Sequence, residues 1–223
     1  MISIHNLSKQ FGPQTVVNNF SFETEKSGLY VFVGANGSGK STLFNLISGL
    51  ILMDTGQVSL DGINDVDMIR SKFGISTEPF VTDPSLTVNE IFAICRRIKK
   101  IPDPEISNWI DFWELNDTLH KPFKALSTGM KKRLSLALSL IGNPTYLLWD
   151  EPFNGLDPIG ITLLNQLTID LVDQGKTIFL STHLLGEITF PKIQFLVMKD
   201  GELVGEFIAG DQSYKDKIIN LLK

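Results

Sequence analysis

Cysteine is almost absent: Cys95 stands alone among 223 residues, so no disulfide can close within the chain. That suits a reducing compartment. Basic charge is not in excess, with 20 Lys and Arg against 25 Asp and Glu and a net charge of -5. The global balance therefore gives no reason to expect nucleic acid as a partner. No signal peptide is legible, because residues 1–7 form a short alternating segment carrying polar Ser3, His5 and Asn6. No apolar run reaches the length of a membrane span; the nearest, residues 134–149, is broken by Gly142-Asn143-Pro144. Internal repeats and low-complexity segments are missing too. His5 and His120 have no acidic or cysteine cluster around them and receive no role. What remains, 43% hydrophobic and 20% charged, is ordinary for a globular protein with a substantial core.

Periodicity orders the chain. Residues 1–7, 15–23 and 56–60 alternate like strands with one exposed face, which implies an antiparallel β portion. Residues 29–33, 146–149, 177–180 and 195–198 are continuous apolar runs, as expected of strands buried on both faces, with helical stretches between them. The expected fold is α/β, with a mostly parallel core sheet, an antiparallel β subdomain and a helical subdomain inserted at about residues 79–143, all within one domain over 1–223. Thr87-Val88-Asn89-Glu90 is a capping-box sequence, and the helix it starts is expected to bury Ile91, Ile94, Cys95 and Ile98. Cys95 fits that face better than it fits a reactive thiol. A short last helix over about residues 213–222 leaves no room for a C-terminal regulatory domain.

Gly34-Ala35-Asn36-Gly37-Ser38-Gly39-Lys40-Ser41 fits Gly-x-x-x-x-Gly-Lys-[Ser/Thr], the phosphate-binding P-loop, and Thr42 follows. A buried-type strand precedes it. Leu43, Leu46, Ile47 and Leu50 follow at helical spacing, with Gly49 as a helix stop. Glycines let backbone N–H groups curl toward phosphate oxygens, and the following helix aims its positive dipole end at them. Lys40 adds a point charge at the β- and γ-phosphates, and Ser41 offers a hydroxyl to Mg²⁺. The alternative is a glycine-rich turn that matches by accident.

Tyr146-Leu147-Leu148-Trp149-Asp150-Glu151 is an apolar strand that ends in two carboxylates. In open α/β sheets ligands sit beyond the carboxyl ends of the strands. Asp150 would face the Mg²⁺ carried by a nucleotide, and Glu151 would reach the water that attacks the γ-phosphate. The alternative is a strand that merely ends in solvated acids.

Leu126-Ser127-Thr128-Gly129-Met130 opens a helix at Lys131-Lys132-Arg133. It resembles the LSGGQ signature of ATP-binding-cassette (ABC) ATPases, although alone it also reads as a Ser N-cap. Asn154-Gly155-Leu156-Asp157 resembles that family's D-loop, Ser181-Thr182-His183 its switch-histidine segment, and Gly74-Ile75-Ser76-Thr77-Glu78-Pro79 its Q-loop. Phe11-Gly12 lies where the family places an aromatic that stacks on adenine, with Val16 nearby. The order of these motifs, running from Phe11 to the strand near Val197, makes the resemblance specific.

The resemblance implies a P-loop ATPase subunit of an ABC transporter with ATP and Mg²⁺ as cofactors. ATP would be bound by Phe11, Val16, Asn36, Gly37, Ser38, Gly39, Lys40, Ser41 and Thr42, and by Ser127, Thr128 and Gly129 of a partner. Ser41, Asp150 and Glu78 would be the metal ligands. Glu151, His183, Lys40, Glu78 and Asp157 would carry catalysis, Asp157 by linking two sites. Two copies, or this chain and a similar subunit, would close head to tail on ATP. A separate transmembrane permease would hold the protein on the cytoplasmic face of the membrane, with no nucleic acid involved. Three departures stand out: Glu78 replaces Gln, Thr128 replaces a glycine and Met130 replaces Gln. Short bacterial export-type systems look most similar. The rival readings are a soluble ABC ATPase of translation or DNA, and a non-hydrolysing ATP-gated dimerisation module. The short segment between Lys40 and Ser127, without heptads, counts against the former; intact Glu151 and His183 count against the latter. Trp109, Phe112 and Trp113 read as packing within the helical block or as a permease-docking patch. Lys99-Lys100 and Lys131-Lys132-Arg133 read as solvated helix faces or termini.

Overall fold

The computed structural model describes residues 1–24, 27–183, 193–209 and 214–222. Alternating apolar and polar residues pair β1 (Ile2–Phe11) with β2 (Gln14–Glu23) in antiparallel fashion, so β1 continues past its expected end at Leu7. β3 (Gly28–Val33) is buried along its length and leads into α1 (Lys40–Ile47). Gly49, at φ +70, turns the chain away after that helix, as expected of a glycine stop. β4 (Thr55–Leu60) returns to β1 and completes a three-stranded sheet ordered β2-β1-β4. α2 (Val66–Lys72) is N-capped by Asp65, and β5 (Phe73–Ser76) follows it directly. α3 (Val88–Lys99) begins at the expected capping box, with Thr87 and Glu90 bonding reciprocally. Then come α4 (Asp103–Phe112), α5 (Thr128–Leu140), β6 (Tyr146–Asp150), α6 (Pro158–Asp173) and β7 (Thr177–Thr182). β8 (Ile193–Lys199), β9 (Glu202–Ile208) and α7 (Tyr214–Leu222) close the order. Ser213, the expected start of the last helix, lies outside the described residues.

The second sheet is six-stranded in the order β5-β6-β7-β3-β8-β9, parallel except for β9. Strand periodicity of two divides its side chains between two cores. Leu29, Val31, Val33, Leu147, Trp149, Ile178 and Leu180 face one core with α3, α4, α5 and α6. Tyr30, Phe32, Tyr146, Leu148 and Phe179 face another, filled by α1 and the antiparallel sheet. Phe32 is fully buried at the centre of the second core, with Phe44 at 5.2 Å, Phe179 at 5.8 Å and Phe20 at 6.3 Å between ring centroids. These tilted and edge-on contacts fix β3, the strand that delivers the glycine loop.

One expected helix face is rotated. α3 buries Val88, Ile91 and Phe92 and half-buries Cys95, whereas Ile94 and Ile98 are 44% and 75% exposed. Burial pushes the Cys95 thiol above its ordinary pKa, the opposite of what activates a nucleophile. Phe32→Ala should cost about 3–5 kcal/mol, whereas Ile98→Ala should stay within about 0.5 kcal/mol. Urea denaturation of both variants checks the two faces together; comparable losses would contradict this packing.

Candidate active site

Parallel register brings the site together before any loop is considered. Val33 of β3 pairs with Thr182 of β7, and Ser181 of β7 pairs with Asp150 of β6. Trp149 of β6 pairs with Ser76, the last residue of β5. The P-loop, the two carboxylates, the Ser181–His183 segment and the segment carrying Glu78 thus leave the carboxyl ends of neighbouring strands in one sheet.

Asn36, Gly37, Ser38, Gly39, Lys40, Ser41 and Thr42 line a cleft of about 220 Å³, with Val16, Glu78, Asp150 and Glu151. Gly37 and Gly39 hold φ of +83° and +99°. A Cβ on Gly39 would also lie 2.5 Å from the Val16 carbonyl, so this turn admits only glycine. No side chain caps α1, which leaves its first N–H groups available to an anion. The Ser38 hydroxyl is buried and has no hydrogen-bond partner among the described residues. Lys40 donates to the carbonyls of Gly34 and Ala35 at 2.8 and 3.2 Å. Burial lowers its pKa, and the negative charges of Glu151 and Asp150 oppose that shift. An open ring of donors, an orphan hydroxyl and a partly desolvated cation fit a polyphosphate.

A hydroxyl organises the carboxylates. Ser181 donates to Asp150 through Oγ and accepts from the Glu151 N–H at 2.9 Å. Glu151 sits at φ +45°, left-handed backbone that costs a non-glycine residue about 1–3 kcal/mol. Ser181 and the Asn154 N–H, which donates to the Glu151 carbonyl at 3.2 Å, hold it there. Its carboxylate meets His183 Nδ1 at 3.0 Å. The acid–imidazole contact and the strained backbone are absent from any reading of the sequence, and so is Ser181 as the residue that positions both acids. Hydroxyl and carboxylate oxygens from Ser41, Asp150 and Glu78 form the hard donor set that suits Mg²⁺. Among the described residues there is no cluster of three or more His, Cys, Asp or Glu poised for a metal by themselves.

Ser127, Thr128, Gly129, Asp157 and Phe11 do not line this cleft. Ser127 is the N-cap of α5, accepting from the Met130 N–H at 3.2 Å, and both it and Thr128 are exposed. Gly129 packs on the D-loop so closely that a Cβ would lie 2.7 Å from the Gly155 carbonyl. Asp157 N-caps α6 through the Gly160 N–H at 2.8 Å. Phe11 is half exposed, with the Lys9 ammonium 5.5 Å from its ring centre. Trp113 is fully buried, and Trp109 and Phe112 are half-buried against the same core, edge to face with one another.

The basic run at α5 corrects an expectation. Lys132 and Arg133 are not solvated: they are buried and ion-paired on opposite sides of the helix start. Lys132 pairs with Glu78. Arg133 reaches Asp157 at 2.8 Å and Glu114 at 2.5 Å. Burial opposes the Arg133 charge, but bonds to Glu114 and Asp157 raise its pKa overall. The Arg133 bond, followed by that from Gly160, lowers the pKa of Asp157. Lys131 lies over the Phe123 ring at 5.0 Å. Lys99 donates to the Ile141 carbonyl at 2.7 Å.

Ser181→Ala removes a buried bond to a carboxylate and strands the Glu151 N–H. It should destabilise the protein by about 1.5–3 kcal/mol. Equilibrium denaturation measures this, and a change below about 0.5 kcal/mol would mean that another donor takes over.

Comparison with known proteins gives a consistent set of matches. The family model described as ABC transporter matches residues 17–154. The lantibiotic transport ATP-binding protein SrtF of Streptococcus pyogenes is 32% identical over 188 residues, covering 84% of this chain and 82% of that protein. The bacitracin transport ATP-binding protein BcrA of Enterococcus faecalis is 34% identical over 213 residues, covering 92% and 68%. The dimeric structure of a post-hydrolysis state of the ATP-binding cassette MJ0796, bound to ADP and Pi, superposes with a TM-score of 0.78 at 26% identity. That match covers 94% of this chain and 99% of the other.

Proposed function

From the premise that the chain belongs to the ABC transporter family, as one of its ATP-binding, ATP-hydrolysing subunits, we propose how its own residues divide the reaction. The carrying observation is one cleft that holds the glycine loop, Lys40, an orphan Ser38 hydroxyl and the strained acid Glu151. Its volume of about 220 Å³ falls below the ~300–1,000 Å³ that encloses a whole small ligand. The cleft therefore takes the polyphosphate, and adenine lies on open surface against Phe11 and Val16. Gly37, Gly39 and Asn36 present backbone to the phosphates, Ser38 donates its free hydroxyl, and Lys40 exchanges the Gly34 and Ala35 carbonyls for the phosphate oxygens. Ser41, Asp150 and Glu78 would hold Mg²⁺, and the ion would neutralise phosphate charge there. Glu151 orients and deprotonates the attacking water, and His183, already on the Glu151 carboxylate, faces the γ-phosphate. Thr42, which lines the cleft beside Ser41 in the first turn of α1, joins the phosphate-binding set.

Ser127, Thr128 and Gly129 form an exposed helix N-terminus outside the cleft, so they serve the phosphate held by a second copy or a similar subunit. Asp157, tied to α5 by Arg133, links the two sites. No helix among the described residues is long and apolar enough to cross a membrane. The names of the relatives, transport ATP-binding proteins, support a separate permease as the membrane partner, with this protein peripheral on the cytoplasmic face. The block at about residues 79–143 is its contact region.

Glu151→Gln should still bind ATP and lose about 10²- to 10⁴-fold in turnover; retention of more than half the turnover would remove Glu151 from this role. In that background ATP should drive dimerisation, and Ser127→Arg should block it by filling the γ-phosphate space. Light scattering reads both, and a dimer indifferent to ATP and to Ser127→Arg would defeat the head-to-tail arrangement. Crosslinkers at Val81 and Ile98, both exposed, should capture a membrane protein in cells; capture of ribosomes or DNA alone would overturn the permease partner.

A further inference from the structure

Lys132 keeps a charge in a place that normally excludes one. Its side chain is 4% exposed, inside the second turn of α5. A buried ammonium needs a partner, because its desolvation is not otherwise offset. Among the described residues its carboxylate partner is Glu78, and its second acceptor is the Asp150 carbonyl at 3.5 Å. Lys132 does not line the cleft, whereas Glu78 does and is 40% exposed there.

Charge explains why this matters. Glu78, Asp150 and Glu151 bring three carboxylates to a cleft in which Lys40 is the cation. A polyphosphate entering such a site meets strong like-charge repulsion unless one acid is neutralised. Protonation is one route; an ion pair from behind is another, and Lys132 supplies it. The same contact ties the segment after β5 to the helix whose N-terminus is Ser127.

We propose that Lys132 is a positioning residue for nucleotide binding: from outside the cleft it cancels the charge of Glu78 and holds that carboxylate on α5, so the pair meets phosphate as a neutral side chain would. This rests on the reading that ATP occupies the cleft. Replacing Glu78 by Gln alone would leave a buried cation without a counter-charge. Replacing Lys132 alone would leave an unmasked carboxylate facing phosphate. Changing both removes one charge of each sign and restores the balance.

The test is a double-mutant cycle read by equilibrium binding of ATP, by calorimetry, in EDTA and in saturating Mg²⁺. Lys132→Met should weaken binding in EDTA about tenfold or more, with a smaller loss in Mg²⁺. In EDTA, where Glu78 serves no metal, Lys132→Met combined with Glu78→Gln should regain most of the affinity lost in Lys132→Met, and Lys132→Arg should stay within about threefold of wild type. Thermal unfolding is followed in parallel, and Lys132→Gln, which keeps the hydrogen bond without the charge, replaces Lys132→Met if that variant does not fold. A lower melting temperature with unchanged ATP affinity would make the pair merely structural and overturn the proposal. A loss in the double variant equal to that of Lys132→Met would also overturn it, since the effect would not pass through Glu78. Wild-type protein that fails to bind ATP would instead overturn the reading of the cleft itself.

Discussion

Val33, Thr182, Asp150 and Ser76 end neighbouring parallel strands in fixed register, and the loops that carry the chemistry start from those four positions. A parallel pair cannot slip by one residue here, because a slip would exchange the two apolar faces of strands buried on both sides. The two cores therefore fix the register, and the register fixes the distance between the glycine loop and the acids. Ser181 shows the consequence. Its hydroxyl reaches Asp150 and the Glu151 N–H only because β6 and β7 are paired in that register. The strain at Glu151 is affordable for the same reason: both its N–H and its carbonyl are bonded, so relaxing its backbone would break two contacts.

Much of this was legible in the sequence where a local rule decides the outcome. The glycine loop, the apolar strands, the capping box and the glycine stop each depend on neighbours within a few residues. The face of α3 was not legible, for a definable reason. Ile91, Ile94, Cys95 and Ile98 share the helical spacing of Val88, Ile91, Phe92 and Cys95. The two stripes overlap at Ile91 and Cys95 and differ by a rotation of the helix. Periodicity fixes the existence of an apolar face, but only the core it meets selects which stripe is inside. Ser181 was hidden similarly: nothing in Ser181-Thr182-His183 tells that the serine bonds two acids on the next strand.

The basic run was misread because the rule applied to it was sound for an isolated helix. Three cations near a helix N-terminus oppose the macrodipole, which favours acids there, and α5 has no acidic residue in its first turn. An isolated helix would keep such charges in water. Here each cation has a separate partner off the helix: an aromatic ring for Lys131, Glu78 for Lys132, and Asp157 with Glu114 for Arg133. A local penalty offset only by tertiary contacts marks a place where structure serves something other than stability.

What it serves follows from where three of these four partners lie. Glu78 belongs to the segment entering the cleft, Asp157 to the loop after the two acids, and Phe123 to the turn just before the signature residues. The start of α5 is thereby fastened to the cleft through Glu78 and to the loop after β6 through Asp157, yet Ser127 and Thr128 remain exposed. Gly129 also lies so close to the Gly155 carbonyl that neither position leaves room for a side chain between the two segments. Glu78 and Asp157 are each linked to the start of α5 through a buried cation of that helix. Ser127 and Thr128 at that N-terminus stay exposed, and it is this open end that the proposed head-to-tail pairing would use.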